Sequence, residues 1–433
     1  MARLDRVPED SRDRDTSLWR HRDFLLLWSG QTVDQFGSQV SWLAVPLVAI
    51  VTLHASTFEV ALLSAAGNLP LLLVSLPAGA VVDRTRRRPL MIICAAGCAL
   101  AMGSIPLATV LGGVSVVQLY TVAFVVGSLS VFFDSAAGSL PFLLVGREQL
   151  VEANGRMNTA RGLAEMAGPS AGGVLIGLLG AARAVGVDAG SYVFSAAMLV
   201  LMRFREPRPE PRPRDARLRT EIADGLRLVL THPLLRVLVL ANGIATFLLA
   251  GVSSLWLLYV ITGLHWSVRA AGLVYGLSLI GGVIGSLFAK RLIDRIGMSR
   301  AIVLGAFLSA PLELVTPLAP HGLAGQWIVA VTFAALTGAG MVNVTATSSV
   351  RQLVCPPGML GRMGASSRFL SQGLRFLGPV AAGGLGTWLG LRPTLFVLAG
   401  STLLCALVLF LSPIRTMREV PVHEAYTPAP APA

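Results

Sequence analysis

The sequence predicts an all-α membrane protein of twelve transmembrane helices, built as two six-helix repeats with both termini in the cytoplasm. Three observations predict it. Hydrophobic residues make up 54% of the 433 and charged residues only 13%, a balance outside the range of soluble domains. Apolar runs of roughly 20 residues cross a hydrocarbon core about 30 Å thick. Such runs recur over 24–53, 60–82, 90–111, 116–141, 158–179, 185–202, 234–262, 270–293, 301–319, 326–347, 369–389 and 393–411. Of 35 Lys and Arg, only Arg183, Arg269 and Arg392 fall in the loops of one side, and the others concentrate in the termini and the alternate loops. That is the positive-inside bias, and it sets the orientation in a bacterial plasma membrane.

The chain divides into a cytoplasmic N-terminal tail (1–23), a first six-helix half (24–203), a cytoplasmic linker (204–233), a second half (234–412) and a C-terminal tail (413–433), which reads as disordered from Pro421. A net charge of +12 would suit nucleic acid, but its placement assigns it to the anionic headgroups of the inner leaflet, and no nucleic-acid partner is expected. The four cysteines lie in spans or in a cytoplasmic loop, so no disulfide is expected. Cys94 and Cys98 share a helix face without a neighbouring His or Asp, so no metal site is expected either. Residues 1–23 are Arg-rich, with amphipathic character near Leu18 and Trp19 and no cleavable signal, and the first span serves as its own insertion signal. Zinc-protease and P-loop patterns are absent, as are paired carboxylates in an aqueous loop, which argues against an enzyme and against an ATP-driven pump.

Taken in order, the first span carries Gln31, Asp34, Ser38 and Ser41 at spacings of three and four, a polar stripe widened by Gln35 and Gln39. An ionisable residue inside a span is a functional candidate by default, because its burial costs a few kcal/mol on insertion scales. A carboxyl packed against a neighbouring hydroxyl is the structural alternative. The second span ends in Gly79-Ala-Val-Val-Asp83-Arg84-Thr-Arg86-Arg87-Arg88-Pro89. Gly79 would let a second helix approach, and Asp83 would accept hydrogen bonds from a helix N-terminus. This run resembles the signature loop of the major facilitator superfamily, Gly-x-x-x-Asp-Arg-x-Gly-Arg-Arg, with Arg86 where the family usually has Gly. In the fourth span, Asp134 lies near the cytoplasmic end, where a gate salt bridge with the Arg84–Arg88 cluster is favoured over a substrate contact.

The fifth span reads Gly155-x8-Ala164-x3-Gly168-Pro169-x2-Gly172-Gly173. Ala164, Gly168 and Gly172 form one small-residue face on which a neighbouring backbone can sit closely, and Pro169 removes a backbone donor. On an adjoining face Asn158, Arg161 and Glu165 must look inward, away from lipid. The run resembles the antiporter motif of superfamily drug exporters, with Ala164 replacing one Gly, and the resemblance implies proton-coupled export.

Residues 203–233 hold a stiff Pro/Arg-rich linker and a short amphipathic helix at about 218–231. The second half repeats the first: Gly378-Pro379-x3-Gly383-Gly384 echoes the fifth span, and Asp294-Arg295 with Gly297 echoes Asp83-Arg84, though Lys290 stands where the first copy has Gly79. Internal duplication marks parallel-repeat transporters, whose sites lie at the repeat interface. Asn242, Glu313, Asn343, Arg368, Gln372 and Arg375 are the second half's polar positions; Asn343 is assigned to the cavity, and Glu313, between Pro311 and Pro317, is left to packing by a neighbouring helix. The loops Cys355-Pro-Pro-Gly-Met-Leu-Gly-Arg362-Met and Gly146-Arg-Glu-Gln-Leu-Val-Glu-Ala-Asn154, with Val187-Asp188-Ala-Gly-Ser-Tyr, resemble the enterobactin-exporter and macrolide-efflux branch of the superfamily. That branch often has a hydroxyl where Asp34 stands and an acid one turn later, where this chain has Ser38.

The expected function is secondary active export of amphipathic small molecules by proton antiport. The proton is the coupling ion, Asp34 and Glu165 are its candidate carriers, no other cofactor is needed, and the protein works as a monomer. An uptake symporter or facilitator for a polar nutrient, and a non-transporting membrane protein, remain the alternatives; few Tyr and scattered Arg at inward positions argue against a sugar or an anionic nutrient.

Overall fold

The computed structural model describes residues 18–145, 149–204, 206, 226–355 and 359–416, with the side chains at positions 76, 80, 83, 360–362 and 365 outside that set. Most of both tails, most of the linker and the loop segments 146–148 and 356–358 therefore lie outside the described residues. So does the larger part of the amphipathic helix expected at 218–231.

The described chain is helical throughout. The long helices are α1 Arg22–Leu47, α2 Thr57–Arg84, α3 Arg87–Val110, α4 Val116–Ala137, α5 Leu150–Leu179 and α6 Ala181–Leu201 in the first half. In the second half they are α7 Pro233–Leu258, α8 Val268–Ile296, α9 Met298–Leu318, α10 Leu323–Val354, α11 Leu360–Gln372, α12 Leu377–Leu389 and α13 Leu391–Phe410. Ends are set by local chemistry. Ser56 and Glu59 form a reciprocal capping box at α2, and Ser115 and Ser267 cap α4 and α8 through their hydroxyls. Gly180, Gly297 and Gly390 turn α5 into α6, α8 into α9 and α12 into α13, each at a φ of 84–87° that only glycine adopts without strain.

The duplication extends to backbone detail. A π-helical turn at Val48–Thr52 has a counterpart at Tyr259–Gly263, and the positive φ of His54 recurs at His265. Arg86 stands where the second half has Gly297. The first copy therefore joins α2 to α3 through extended Thr85 and Arg86 (φ −117° and −70°) instead of a left-handed glycine.

Eleven spans, not the twelve expected, are helices long and apolar enough to cross a membrane among the described residues. The run 369–389 is broken at Gly373–Phe376, between α11 and α12. Pro379 cannot donate to the carbonyl of Arg375, and Gly373 adds a weak helix former just upstream. The chain bridges the gap with tight turns, Arg375 N to Gln372 O at 3.0 Å and Leu377 N to Leu374 O at 3.0 Å. In α5, Pro169 is tolerated without a break because Leu163 and Ala164 stand where the second copy has Gly373 and Leu374. α5 also starts eight residues before the expected 158, its extra turns carrying the Glu152–Arg156 ion pair at i, i+4.

The apolar core shows how the halves sit. At one end a single cluster joins them, from Val40–Ile50 of the first half to Trp256, Val260 and Ala271 of the second. At the other end, which bears the Arg84–Arg88 and Asp294–Arg295 loops, the core splits. One cluster holds Phe24, Met91, Phe133 and Ala153, and the other holds Leu235, Ile302, Val350 and Leu409. The halves are joined at the end away from the basic loops and keep separate clusters at the basic end.

Candidate functional site

The closure at the joined end is made by two glycine crossings related by the duplication. On α5, Gly173 lies against α8, where an added Cβ would come 3.1 Å from the Val268 carbonyl, and Gly272 faces the Pro169 carbonyl at 2.5 Å in the same sense. On α12, Gly383 meets Ala61 of α2, an added Cβ falling 2.6 Å from its Cβ, and Gly386 meets Thr57. Within each half the same helices use other glycines. Gly168 and Gly172 seat α5 on Gln39 and Val40 of α1, and Gly378 seats α12 on Gly251 of α7, with Pro379 buried beside it. The expected small-residue face is thus two faces, one gripping the helix's own half and one touching the other half. Gly155 belongs to neither, because nothing lies within 4 Å of where its side chain would be.

Between the halves Trp42 packs on Tyr275 with ring centroids 4.3 Å apart, and Trp256 adds contacts to Tyr275 and Phe333. The charges of Glu165 and Arg375 both act on the Tyr275 hydroxyl. Toward the basic end a cavity of about 220 Å³ opens, lined by Gln31, Gln35, Asp134, Asn154, Asn158 and Arg161. Arg161 Nε pairs with Glu165 Oε1 at 3.0 Å along α5, both side chains being about half exposed. Glu165 is therefore a solvated, paired carboxylate, a weak candidate for a group that must be occluded bare. Asp134 faces Arg161 from α4.

The stripe on α1 splits. Gln31 and Gln35 line the cavity, but Asp34 and Ser41 are buried against α6, each 6% exposed, on the face that Gly30 and Gly37 open. There they meet Asp188, Ser191 and Ser195, all buried. Ser191 Oγ donates to Asp188 Oδ1 at 3.1 Å, and Ser38 Oγ and Tyr192 Oη lie 3.4 Å apart. Asp34 Oδ1, Asp188 Oδ2 and Ser41 Oγ have no hydrogen-bond partner. Asp188 was legible only as part of a resemblance. The rule that flagged Asp34, an ionisable residue inside an apolar run, applies to it equally.

Other expected positions take different places. Asn343 does not face the cavity: its Nδ2 donates to the Ile302 carbonyl at 2.8 Å, tying α10 to α9. Gly79 has open space over it and admits no helix here. Arg88 binds the end of α6, with Nε on the Leu199 carbonyl at 2.8 Å, Nη2 on Val200 and Nη1 on Phe204, both at 3.0 Å. Arg87 pairs with Glu206 at 3.9 Å. These two arginines thus tie α3 to the segment at the end of α6 inside the first half in this state. Arg84 closes α2, and Asp294 and Arg295 end α8, all exposed. Glu313 of α9 is 8% exposed, with its Oε2 unpartnered, near Cys405. Among the described residues no group of three or more His, Cys, Asp and Glu is arranged to hold a metal ion.

Comparison with known proteins agrees with this architecture. The sequence profile of the Major Facilitator Superfamily matches residues 27–379. The chain is 28% identical over 407 residues to the multidrug efflux pump Tap of Mycolicibacterium fortuitum, covering 91% of this chain and 96% of that one. It is 27% identical over 351 residues to the enterobactin exporter EntS of Escherichia coli, covering 79% of this chain and 80% of that one. The crystal structure of the nucleoside transporter NupG shares the fold with a TM-score of 0.75 at 12% identity, over 90% of this chain and 98% of that one.

Proposed function

The chain belongs to the Major Facilitator Superfamily, as a multi-pass integral protein of a bacterial membrane and a transporter rather than an enzyme, and from that premise we propose that it exports amphipathic small molecules by proton antiport. The observation that carries the reading is the divided core. One end is shared by both halves, while at the basic end each half keeps its own apolar cluster and the first half opens a polar cavity among α1, α4 and α5, an arrangement that suits one of the two states of alternating access. With the positive-inside bias, the basic end is cytoplasmic, both termini lie on that side, and the broken α11–α12 unit serves as the twelfth span. The likeness to the multidrug efflux pump Tap and the enterobactin exporter EntS supports the outward direction.

Cargo enters the cavity from the cytoplasm or the inner leaflet. The Gly173–Gly272 and Gly383–Ala61 crossings part as the basic end closes, and small residues let those helices roll because no side chains interlock across them. A proton arriving from outside neutralises a buried carboxylate, lowers the cost of occluding it and biases the return. The protein acts as a monomer in contact with anionic inner-leaflet headgroups, with the proton as its coupling ion.

The test is accumulation of ethidium in bacterial cells with and without the protein, each with and without an uncoupler. Lower accumulation that requires the protein and disappears with the uncoupler is the expected result. Protein-dependent gain of dye under the same gradient would replace export by uptake, and no effect across a panel of amphipathic dyes would remove the reading.

A further inference from the structure

We propose that Asp34 and Asp188 form the coupling-ion site together, holding one proton between them in the α1–α6 seam. The inference gives a location to the proton of the export reading and rests on it. Three observations carry it. Both carboxyls are nine-tenths buried or more, at 6% and 0% exposure, and each keeps one oxygen without a hydrogen-bond partner. The groups that act on the pair from the surrounding helices are Cys98 of α3, Asp134 of α4 and Tyr192 of α6, with the hydroxyls of Ser41 and Ser191 beside Asp188. None of these is a cation. Two carboxylates buried in one seam cannot both stay ionised without a positive charge, so the pair retains one proton, carried by one carboxyl or the other.

The third observation is position. α1 presents adjoining faces to the two partners of an exchange: Asp34, Gly37 and Ser41 to α6, and Gln31 and Gln35 to the cavity. Gln39 and Val40 of the same helix carry Gly168 and Gly172 of α5. With the proton present, α1 seats on α6. When it leaves, two like charges face each other across the seam and push α1 toward the cavity and α5. Cargo and proton are then coupled through the tilt of one helix without sharing a pocket, and Glu165, solvated and paired with Arg161, is not the carrier.

The test is labelling of the purified full-length protein in detergent with dicyclohexylcarbodiimide, which modifies protonated carboxyls in apolar surroundings, read by peptide mass mapping across pH. The expected result is one label per chain, on Asp34 or Asp188 and never on both. In Asp188→Asn, the pH at which Asp34 labelling halves moves by at least about one pH unit, a tenfold change in proton affinity. Ser195→Ala, which leaves both carboxyls in place, keeps the wild-type profile and controls for loosened packing. Two labels per chain, labelling confined to Glu165, Asp134 or Glu313, or an unmoved profile in Asp188→Asn would overturn the proposal. Protection by sodium chloride but not choline chloride would replace the proton by a metal cation and overturn it too. Labelling is read without transport. Dye export that fails while the shared label stands sinks the export reading, and uncoupler-sensitive export without the shared label sinks the pair.

Discussion

Gly37 of α1 stands directly against Asp188 of α6: a Cβ on Gly37 would fall 2.6 Å from Asp188 Oδ1. No side chain fits there unless the seam opens, so the absence of one at position 37 is what lets Asp34 and Asp188 share a buried site. Gly37→Ala is expected to cut uncoupler-sensitive dye export at least several-fold while the protein still elutes as a folded species. Because the same Cβ also meets Ser191 Oγ, Gly37→Ala combined with Ser191→Gly is expected to recover part of the loss. Full activity in the single variant would mean that the seam is looser than the contact requires.

On the export reading, the α5–α8 and α2–α12 crossings set the balance between the two states. A side chain on Gly272 would strike the Pro169 carbonyl at 2.5 Å, a contact made by the closed crossing. Gly272→Val is therefore expected to favour parting of that crossing. Phe58, at the duplicated crossing on α2, reports it: the thiol of Phe58→Cys should react several times faster with a membrane-impermeant maleimide in the Gly272→Val background. Equal rates would show that the crossing does not govern opening.

Arg88 satisfies the Leu199 and Val200 carbonyls that the end of α6 leaves without intrahelical donors, and the Phe204 carbonyl just beyond it. Three charge-assisted bonds in a half-buried place make Arg88→Ala destabilising by about 2 kcal/mol. A drop of several degrees in the apparent Tm of the purified protein is expected. Arg88→Lys should recover less than half of it, since a single ammonium cannot fork to three carbonyls. Loss of export with an unchanged Tm would return Arg88 to a gating role.

Cys355, one residue past the end of α10, is 4% exposed, and burial raises its thiol above the ordinary range. The raised value means that less thiolate is present at neutral pH than in a free cysteine, and the thiolate is the reactive form. Together with Cys94, Cys98 and Cys405, all buried, this predicts negligible maleimide uptake by native protein at pH 7 and four thiols on denaturation. The Cys355 rate should rise as pH increases. Rapid labelling of one thiol at neutral pH would show that the α10 end opens to solvent.

What a residue string encodes locally was legible here. Helix lengths follow from apolar runs measured against the bilayer, and the duplication from motifs that recur about 210 residues apart, each motif being a short local run. The same locality explains the misreadings. A stripe at i, i+3, i+4 says which side chains share a face and nothing about which helix covers it. Tertiary structure alone turned Asp34 toward α6, where Ser38 and Tyr192 meet from 154 residues apart. It also sent Asn343 to the back of α10, spread Arg88 over the end of α6 and left Glu165 paired in the open. The physical reason lies in the solvent. In lipid the hydrophobic effect does not choose between helix faces, so orientation is decided by close packing and hydrogen bonds between segments far apart in the chain.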